Sequence, residues 1–302
     1  MTRVATIAMH HILFDAIGRS QARLAASQIQ LATGKKAGDF AALGVEAVRT
    51  LSAHSLVARQ EAHGALCNRL GTTLAIQDSA LTGTDDAMTR LRTELMTAVG
   101  TGQTAGLQGA VEEAFQQFRS AMNTNEGGQA LFAGSATDKP PFKPATLADT
   151  VAMPASGAFT NDGVKSNARV ADGLDVQYGV GASEVGGTLY EAFRTIAEAG
   201  PIGDVPTVAQ SAAFNKAIGQ LSDGLMTLRS TNAENGRRQA QVETLAVRAD
   251  EKSLVLRQVI SCNEDADMTE VASELTQRET ILQASYSTYA KLSQLSLLNF
   301  LR

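Results

Sequence analysis

All six prolines of this chain (Pro140, Pro141, Pro144, Pro154, Pro201 and Pro206) lie between residues 140 and 206. Proline fixes φ, lacks a backbone N–H and breaks the interior of a helix. Long helices are therefore permitted on both sides of that window and not expected inside it. Ten glycines also fall from Gly134 to Gly203, in turn-like settings such as TNDGV and VADGLDV. Between those turns the short apolar run GLDVQYGVG reads as a strand. At 302 residues the chain has room for two or three domains.

The flanks carry a countable helical period. Leu13, Ile17, Ser20, Leu24, Ser27 and Leu31 are spaced alternately by four and three residues. Leu70, Leu74, Gln77, Leu81, Thr84, Met88, Leu91 and Leu95 repeat the pattern. So do Ile218, Leu221, Leu225, Leu228, Asn232, Asn235, Gln239, Val242 and Ala246, a seam that turns polar in its middle. Near the end come Met268, Val271, Leu275, Leu282, Tyr286, Tyr289 and Leu292. Seams of this kind bury themselves against other helices in the manner of a coiled coil. The break ATGKKAGD at residues 32–39 separates the first helix from the second, and SCNEDAD at 261–267 separates the last two. In the second break Asp265 or Asp267 can serve as an N-cap.

The expected fold class is mainly α: a discontinuous long-helix coiled-coil bundle formed by both chain ends, with a small β-rich inserted outer domain. The expected divisions are residues 1–42 with 263–302 as a terminal coiled-coil domain, 43–135 with 207–262 as a helical core, and 136–206 as the insertion.

Composition narrows the function classes. Aromatic residues make up 5% and Trp is absent, which suits side-by-side helices better than a thick aromatic core. The net charge is −5, with 26 basic residues dispersed among 31 acidic ones and no basic run to hold a phosphate backbone, so nucleic acid is not an expected partner. No stretch reaches the roughly 18 apolar residues of a membrane span. The opening MTRVATIAMHHILFDAIG lacks the apolar centre and small-residue site of a cleaved secretory signal.

Chemistry-bearing motifs are sparse. His10, His11, His54 and His63 show no i, i+3 or i, i+4 histidine pairing, so they read as surface histidines rather than metal ligands. GKK at 34–36 lacks the upstream glycine and the following Ser or Thr of a P-loop. GVGASEVGG at 179–187 has the wrong spacing for a dinucleotide fingerprint and reads as hairpin turns. Glu264, Asp265 and Asp267 resemble the start of a calcium loop, but Glu270 stands where its glycine belongs. Asp85–Asp86 and Glu112–Glu113 read as solvated helix faces, and no Gly-x-Ser-x-Gly elbow occurs. Cys67 and Cys262 read as small hydrophobes, their pairing left open by spacing alone. The expectation is a non-enzyme with no cofactor and no metal.

The chain's end is its most informative part. Leu13, Ile17, Leu24 and Leu31 supply one seam, and Leu275, Leu282, Tyr286, Tyr289 and Leu292 the other. Beyond them Leu295, Leu297, Leu298, Phe300 and Leu301 put apolar groups on every side of the last helix. Such a helix is buried on more than one face. A single antiparallel partner covers one face, so neighbouring copies are the expected cover for the rest. The assembly residues are then the two seams together with Leu295, Leu298, Phe300 and Leu301. Identical subunits joined head-to-tail without closure make a helical tube or fibre.

These residues also carry a family resemblance. DADMTEVASELTQRETILQASYSTYAKLSQLSLLNFLR resembles the C-terminal end of the bacterial flagellin superfamily, which includes filament flagellins and the flagellin-like hook-associated protein 3 of the hook–filament junction. SQARLAASQIQLATGKK is similar to the opening helix and turn of that superfamily, and NGRRQAQVE to its long C-terminal core helix. GQALFAGSATDKPPF resembles the segment where junction proteins leave the helical core. Residues from about 143 to 206 match nothing of the family, and the chain is richer in alanine and glycine than its familiar members.

The resemblance implies a structural subunit of the external flagellar axis. It implies paired terminal helices innermost, longer helices around them and the insertion outermost. It further implies self-association, contact with other axial proteins, and passage through the flagellar export apparatus with the help of an export chaperone. Neither nucleic acid nor membrane is among the implied partners. ATGKKAGDFAALGVEA and LFAG…T…PPF are closer to junction proteins than to filament flagellins, which remain the alternative. A third reading, from the seams alone, is an intracellular coiled-coil scaffold or signalling protein.

Overall fold

The computed structural model describes the backbone of residues 2–298 and the side chains of residues 11–291. Among the described residues seven α-helices appear in chain order: α1 (Thr2–Thr33), α2 (Glu46–Thr101), α3 (Leu107–Met122), α4 (Ala155–Ala158), α5 (Ala182–Glu198), α6 (Val208–Glu264) and α7 (Met268–Leu298). Two small antiparallel pairs interrupt them: β1 (Asn125–Glu126) with β2 (Gln129–Ala130), and β3 (Ser166–Ala171) with β4 (Leu174–Tyr178). The mainly α class with a small β component is the one the sequence pattern calls for.

The chain divides into two compact units, residues 1–59 with 251–302 (the terminal unit) and residues 60–250 (the central unit). In the central unit the α2 seam behaves as its spacing dictates. Leu70, Leu74, Gln77, Leu81, Thr84, Met88, Leu91 and Leu95 are all buried. Opposite them Leu221, Leu225, Leu228, Asn235, Val242 and Ala246 of α6 are buried as well. The two helices run antiparallel: Arg229 reaches Asp85 at 2.7 Å, and the Asn235 amide donates to the Leu74 carbonyl at 2.9 Å.

A group of aromatics closes the other side of this helix pair. Phe115 and Phe118 of α3 stack edge-on against Phe193 and Phe142, with ring centroids 5.3 and 5.2 Å apart. Phe159 and Tyr190 complete the cluster, and the Tyr190 hydroxyl donates to the Met153 carbonyl at 2.9 Å. Residues of the 136–206 window and the long helices therefore share one core. The β3–β4 hairpin turns at Gly173 (φ 72°). It lays Ala168, Val170 and Val176 against Cys67, Leu70, Leu74 and Val242.

The largest departure from the sequence reading is α5. GVGASEVGG was expected to form hairpin turns, yet Gly181 caps a 17-residue helix that begins at Ala182. Gly186 is there for close packing, since a Cβ on it would stand 2.8 Å from Phe118 Cζ. Gly224 of α6 admits Leu189 of α5 in the same way, at 2.5 Å from Leu189 Cδ2. The helix fits between Pro154 and Pro201, where the chain has no proline.

Candidate assembly interface

The terminal unit is built on α1 and α7, and the local sequence sets their inner ends. Gly34, with φ 69°, donates its N–H to the Gln30 carbonyl at 2.8 Å and ends α1 in the left-handed conformation that glycine tolerates. Asp267 caps α7, accepting from the N–H groups of Thr269 (2.8 Å) and Glu270 (3.2 Å). Glu270 adds an acidic group to the first turn, where the helix dipole favours one.

α1 lies antiparallel along α7. The Gln21 amide donates to the Tyr286 hydroxyl, and Arg278 donates to Ser27 Oγ and, at 3.0 Å, to the Arg23 carbonyl. The predicted seams do turn inward. Ile17, Ser27 and Val271 are buried, while Leu13, Leu24, Leu275, Leu282 and Tyr289 are half-buried. Leu31 and Tyr286 remain 37% and 46% exposed, at the edge of the contact. The side chains of Leu292, Leu295 and Leu298, and Phe300 and Leu301 altogether, lie outside the described residues.

Much apolar surface is left over. Ile12 and Phe14 are 66% and 68% exposed, and Ile29 and Ile281 about half exposed. The same holds for the portions of α2 and α6 that belong to this unit, at Val48, Leu51, Leu254 and Val255. Sequence spacing passed over all of these because they fall off the seam. The signal for them was subtractive: large apolar residues that a 4/3 seam does not use.

Where α1 turns into α2 and α6 into α7, the two crossovers are stitched together. Lys36 N–H donates to the Glu264 carbonyl at 2.6 Å, and Ala266 N–H to the Gly34 carbonyl at 2.9 Å. Lys35 Nζ sits 2.6 Å from Asp265 and 3.2 Å from Glu264, and His54 Nε2 lies 2.6 Å from the other oxygen of Glu264. Lys36 Nζ donates to the Cys262 carbonyl at 2.5 Å, and Asn263 to Thr50 at 3.1 Å. The hydrogen bonds that Lys35 donates to Asp265 and Glu264 raise it above the ordinary lysine range. The His54 bond, then that from Lys35, holds Glu264 below the usual carboxylate range, and Lys35 does the same for Asp265. In the acidic cluster that resembled a calcium loop, Glu264 and Asp265 are thus satisfied by Lys35 and His54, and Asp267 by the N–H groups of α7.

Among the described residues no group of His, Cys, Asp and Glu side chains is arranged to hold a metal ion, and no helix is long and apolar enough to cross a membrane. Cys67 is a buried free thiol and Cys262 an exposed one. Burial pushes the Cys67 thiol pKa upward, away from the reactive thiolate. His63 is more covered than a surface reading expects, its side chain 14% exposed at 3.6 Å from Asp172. What the terminal unit offers is a set of helical faces carrying uncovered apolar side chains, suited to contact with other helices.

No protein-family model matches the chain, and no curated protein matches it. Solved structures do. A putative flagellar hook-associated protein from Vibrio parahaemolyticus aligns over 72% of this chain and 97% of its own length, at a TM-score of 0.58 and 16% identity. Bacillus cereus FlgL aligns over 70% of this chain and 99% of its own, at a TM-score of 0.58 and 15% identity. This chain shares their fold. At such identities the likeness is one of architecture.

Proposed function

We propose that this chain is a structural subunit of the bacterial flagellum, placed at the hook–filament junction, that assembles through its terminal helices with copies of itself and with other axial proteins. The observation that carries the reading is the apolar surface of α1 and α7 left over after they have paired, with Phe14 and Ile281 as its clearest members. Fully burying one such side chain is favourable by about 1.5–3 kcal/mol. Several of them left in water are a strong drive to associate.

The C-terminal resemblance and the fold shared with hook-associated proteins support a place in the flagellar axis. The assembly residues are those of the two seams, joined by Leu295, Leu298, Phe300 and Leu301. In this reading the terminal helices lie innermost in a tube, the long helices surround them, and residues 136–206 face outward. The subunit reaches the cell exterior through the flagellar export apparatus, escorted by an export chaperone.

Two experiments test this. Deleting the gene is expected to leave hooks without filaments, with flagellin shed into the medium, as seen by electron microscopy. Loss or shortening of the filament with an intact junction instead identifies a filament flagellin, and unchanged flagella sink both. In the second, Phe14→Asp with Ile281→Asp is expected to abolish incorporation, because charge enters a dry contact. Normal motility in that double variant removes the assembly surface from the proposal.

A further inference from the structure

The central unit contains a cavity of about 650 Å³ that has no part in the assembly reading. It is walled by α2, the β1–β2 turn, the stretch from Asn161 to Ser166 and the start of α5. Its volume falls within the range of roughly 300–1,000 Å³ typical of small-ligand sites. We propose that it binds a neutral, hydroxyl-rich ligand of the size of one or two sugar rings.

The argument begins at Gln77, which lines the cavity and is 1% exposed. Its Nε2 donates to the Leu131 carbonyl at 3.1 Å. A carbonyl can only accept, so the amide is fixed with its nitrogen toward Leu131. Gln77 Oε1 is thereby left buried with no hydrogen-bond partner. Buried acceptors of this kind are rare because desolvation removes water without replacing it. Neighbouring side chains cover it, so a ligand hydroxyl satisfies it once they part.

The charges on the wall select against ionic ligands. Arg69 and Lys165 face three carboxylates, those of Glu126, Asp162 and Glu184. Each carboxylate is already held in place. Thr73 Oγ1 donates to Glu126 at 2.7 Å, Ser135 and Val164 N–H groups donate to Asp162 at 2.9 and 3.1 Å, and Lys165 stands 3.7 Å from Glu184. An anion such as phosphate meets a net excess of negative charge there. A divalent cation finds no ligand cluster among the described residues.

What remains is a wall that interleaves fixed acceptors with donors. Residues on the wall carry acceptors at Glu126, Asp162 and Glu184 and donors at Arg69, Lys165, Gln129 and Tyr178, with Gln77 Oε1 covered behind them. A hydroxyl group both donates and accepts, so a polyol answers such a wall at every position. The half-buried Tyr178 ring adds an apolar surface for the C–H face of a sugar. A peptide strand is bound through a row of backbone groups on one edge, whereas these polar groups are side chains from separate segments.

Saturation-transfer NMR on the full chain, with glucose, maltose and N,N′-diacetylchitobiose as probes, tests the proposal. At least one sugar is expected to bind saturably with millimolar affinity. Tyr178→Leu and Arg69→Ala are each expected to weaken that binding roughly tenfold, the loss of one or two hydrogen bonds, and the exposed Arg69 variant to keep an unchanged thermal midpoint. Gln77→Leu is expected to weaken it too; since Gln77 is a core residue, the two other variants decide the matter if this one misfolds. Silence from all three sugars, or equal binding by both deciding variants, overturns the proposal. So does a stronger response to a neutral capped tetrapeptide (N-acetyl-Ser-Ala-Thr-Gly-amide) than to every sugar. None of these outcomes bears on assembly through the terminal helices.

Discussion

The two units of this molecule are made from similar helices yet differ in how they use apolar residues. In the central unit, α2, α3, α5 and α6 enclose a layer that includes six large aromatic side chains, Phe115, Phe118, Phe132, Phe142, Phe193 and Tyr190, each essentially inaccessible. In the terminal unit the only buried hydrophobic side chains described are Ile17, Ala53, Val57, Ile260 and Val271. Phe14, Val48, Leu51, Leu254 and Ile281 of the same unit are at least half exposed. The central unit has finished its core within one chain. The terminal unit uses its few seam residues in pairing α1 with α7 and leaves the remainder uncovered.

The contrast can be broken most forcefully at the aromatic layer. Phe118→Ala is expected to cost about 3–5 kcal/mol, as for other buried aromatics cut to alanine, and to lower the main thermal transition sharply. Ile17→Ala is expected to leave that transition in place and to loosen only α1 and α7. Equal losses in the two variants would falsify the separation of the units. Limited trypsin digestion probes the same difference with a smaller perturbation. Cleavage is expected first after Arg19, Arg23 or Lys291, all exposed on the terminal helices, and a fragment containing residues 60–250 is expected to outlast it. Early cuts inside that fragment count against the idea.

Smaller effects are expected where the crossovers are stitched. Lys35→Met removes the ammonium from Glu264 and Asp265 at a site whose lysine side chain is 44% exposed. Exposed pairs contribute about 0–1 kcal/mol. Amide exchange near Gly34 and Ala266 is therefore expected to quicken while the central unit stays protected; no change there shows the ion pairs to be passive. Acid acts at the same place. Glu264 and Asp265 have folded pKa values below their unfolded ones, so their stabilisation is present above about pH 4 and is lost as pH falls through the folded values. Lys35 is shifted upward, so its share is present below the ordinary lysine pKa and fades only as pH rises through a still higher one. Amide exchange near Gly34 and Ala266 is expected to be steady at neutral pH and to quicken on acidification before the central unit responds.

Much of this architecture was legible because a helix seam is a local, periodic signal. Every one of the eight α2 seam positions, from Leu70 to Leu95, is buried. The break at residues 32–39 was equally visible, and the cap of the last helix was narrowed to Asp265 or Asp267, of which Asp267 does the capping, since caps are written within a few residues of the helix they start. α5 escaped because its glycines looked like turns, when Gly186 in fact answers to Phe118, a residue on another helix. The stitching of Lys35 to Glu264 was invisible for the same reason: the partners are 229 positions apart. Within the candidate interface the seam half could be read, and the surplus half could not be ranked without knowing which faces the pairing leaves open.

The cross-links between α1 and α7 also dictate an order of events. Gln21 and Tyr286 lie 265 positions apart, and Arg278 and Ser27 are separated by 251. Their meeting closes almost the whole chain into a loop, for the return of a few directional bonds and a thin apolar seam. Loop-closure entropy makes such contacts late arrivals unless the intervening chain has already drawn the ends together. The central unit, with its local helices and dense core, does that drawing together. The chain thus completes its central body first and zips its ends last.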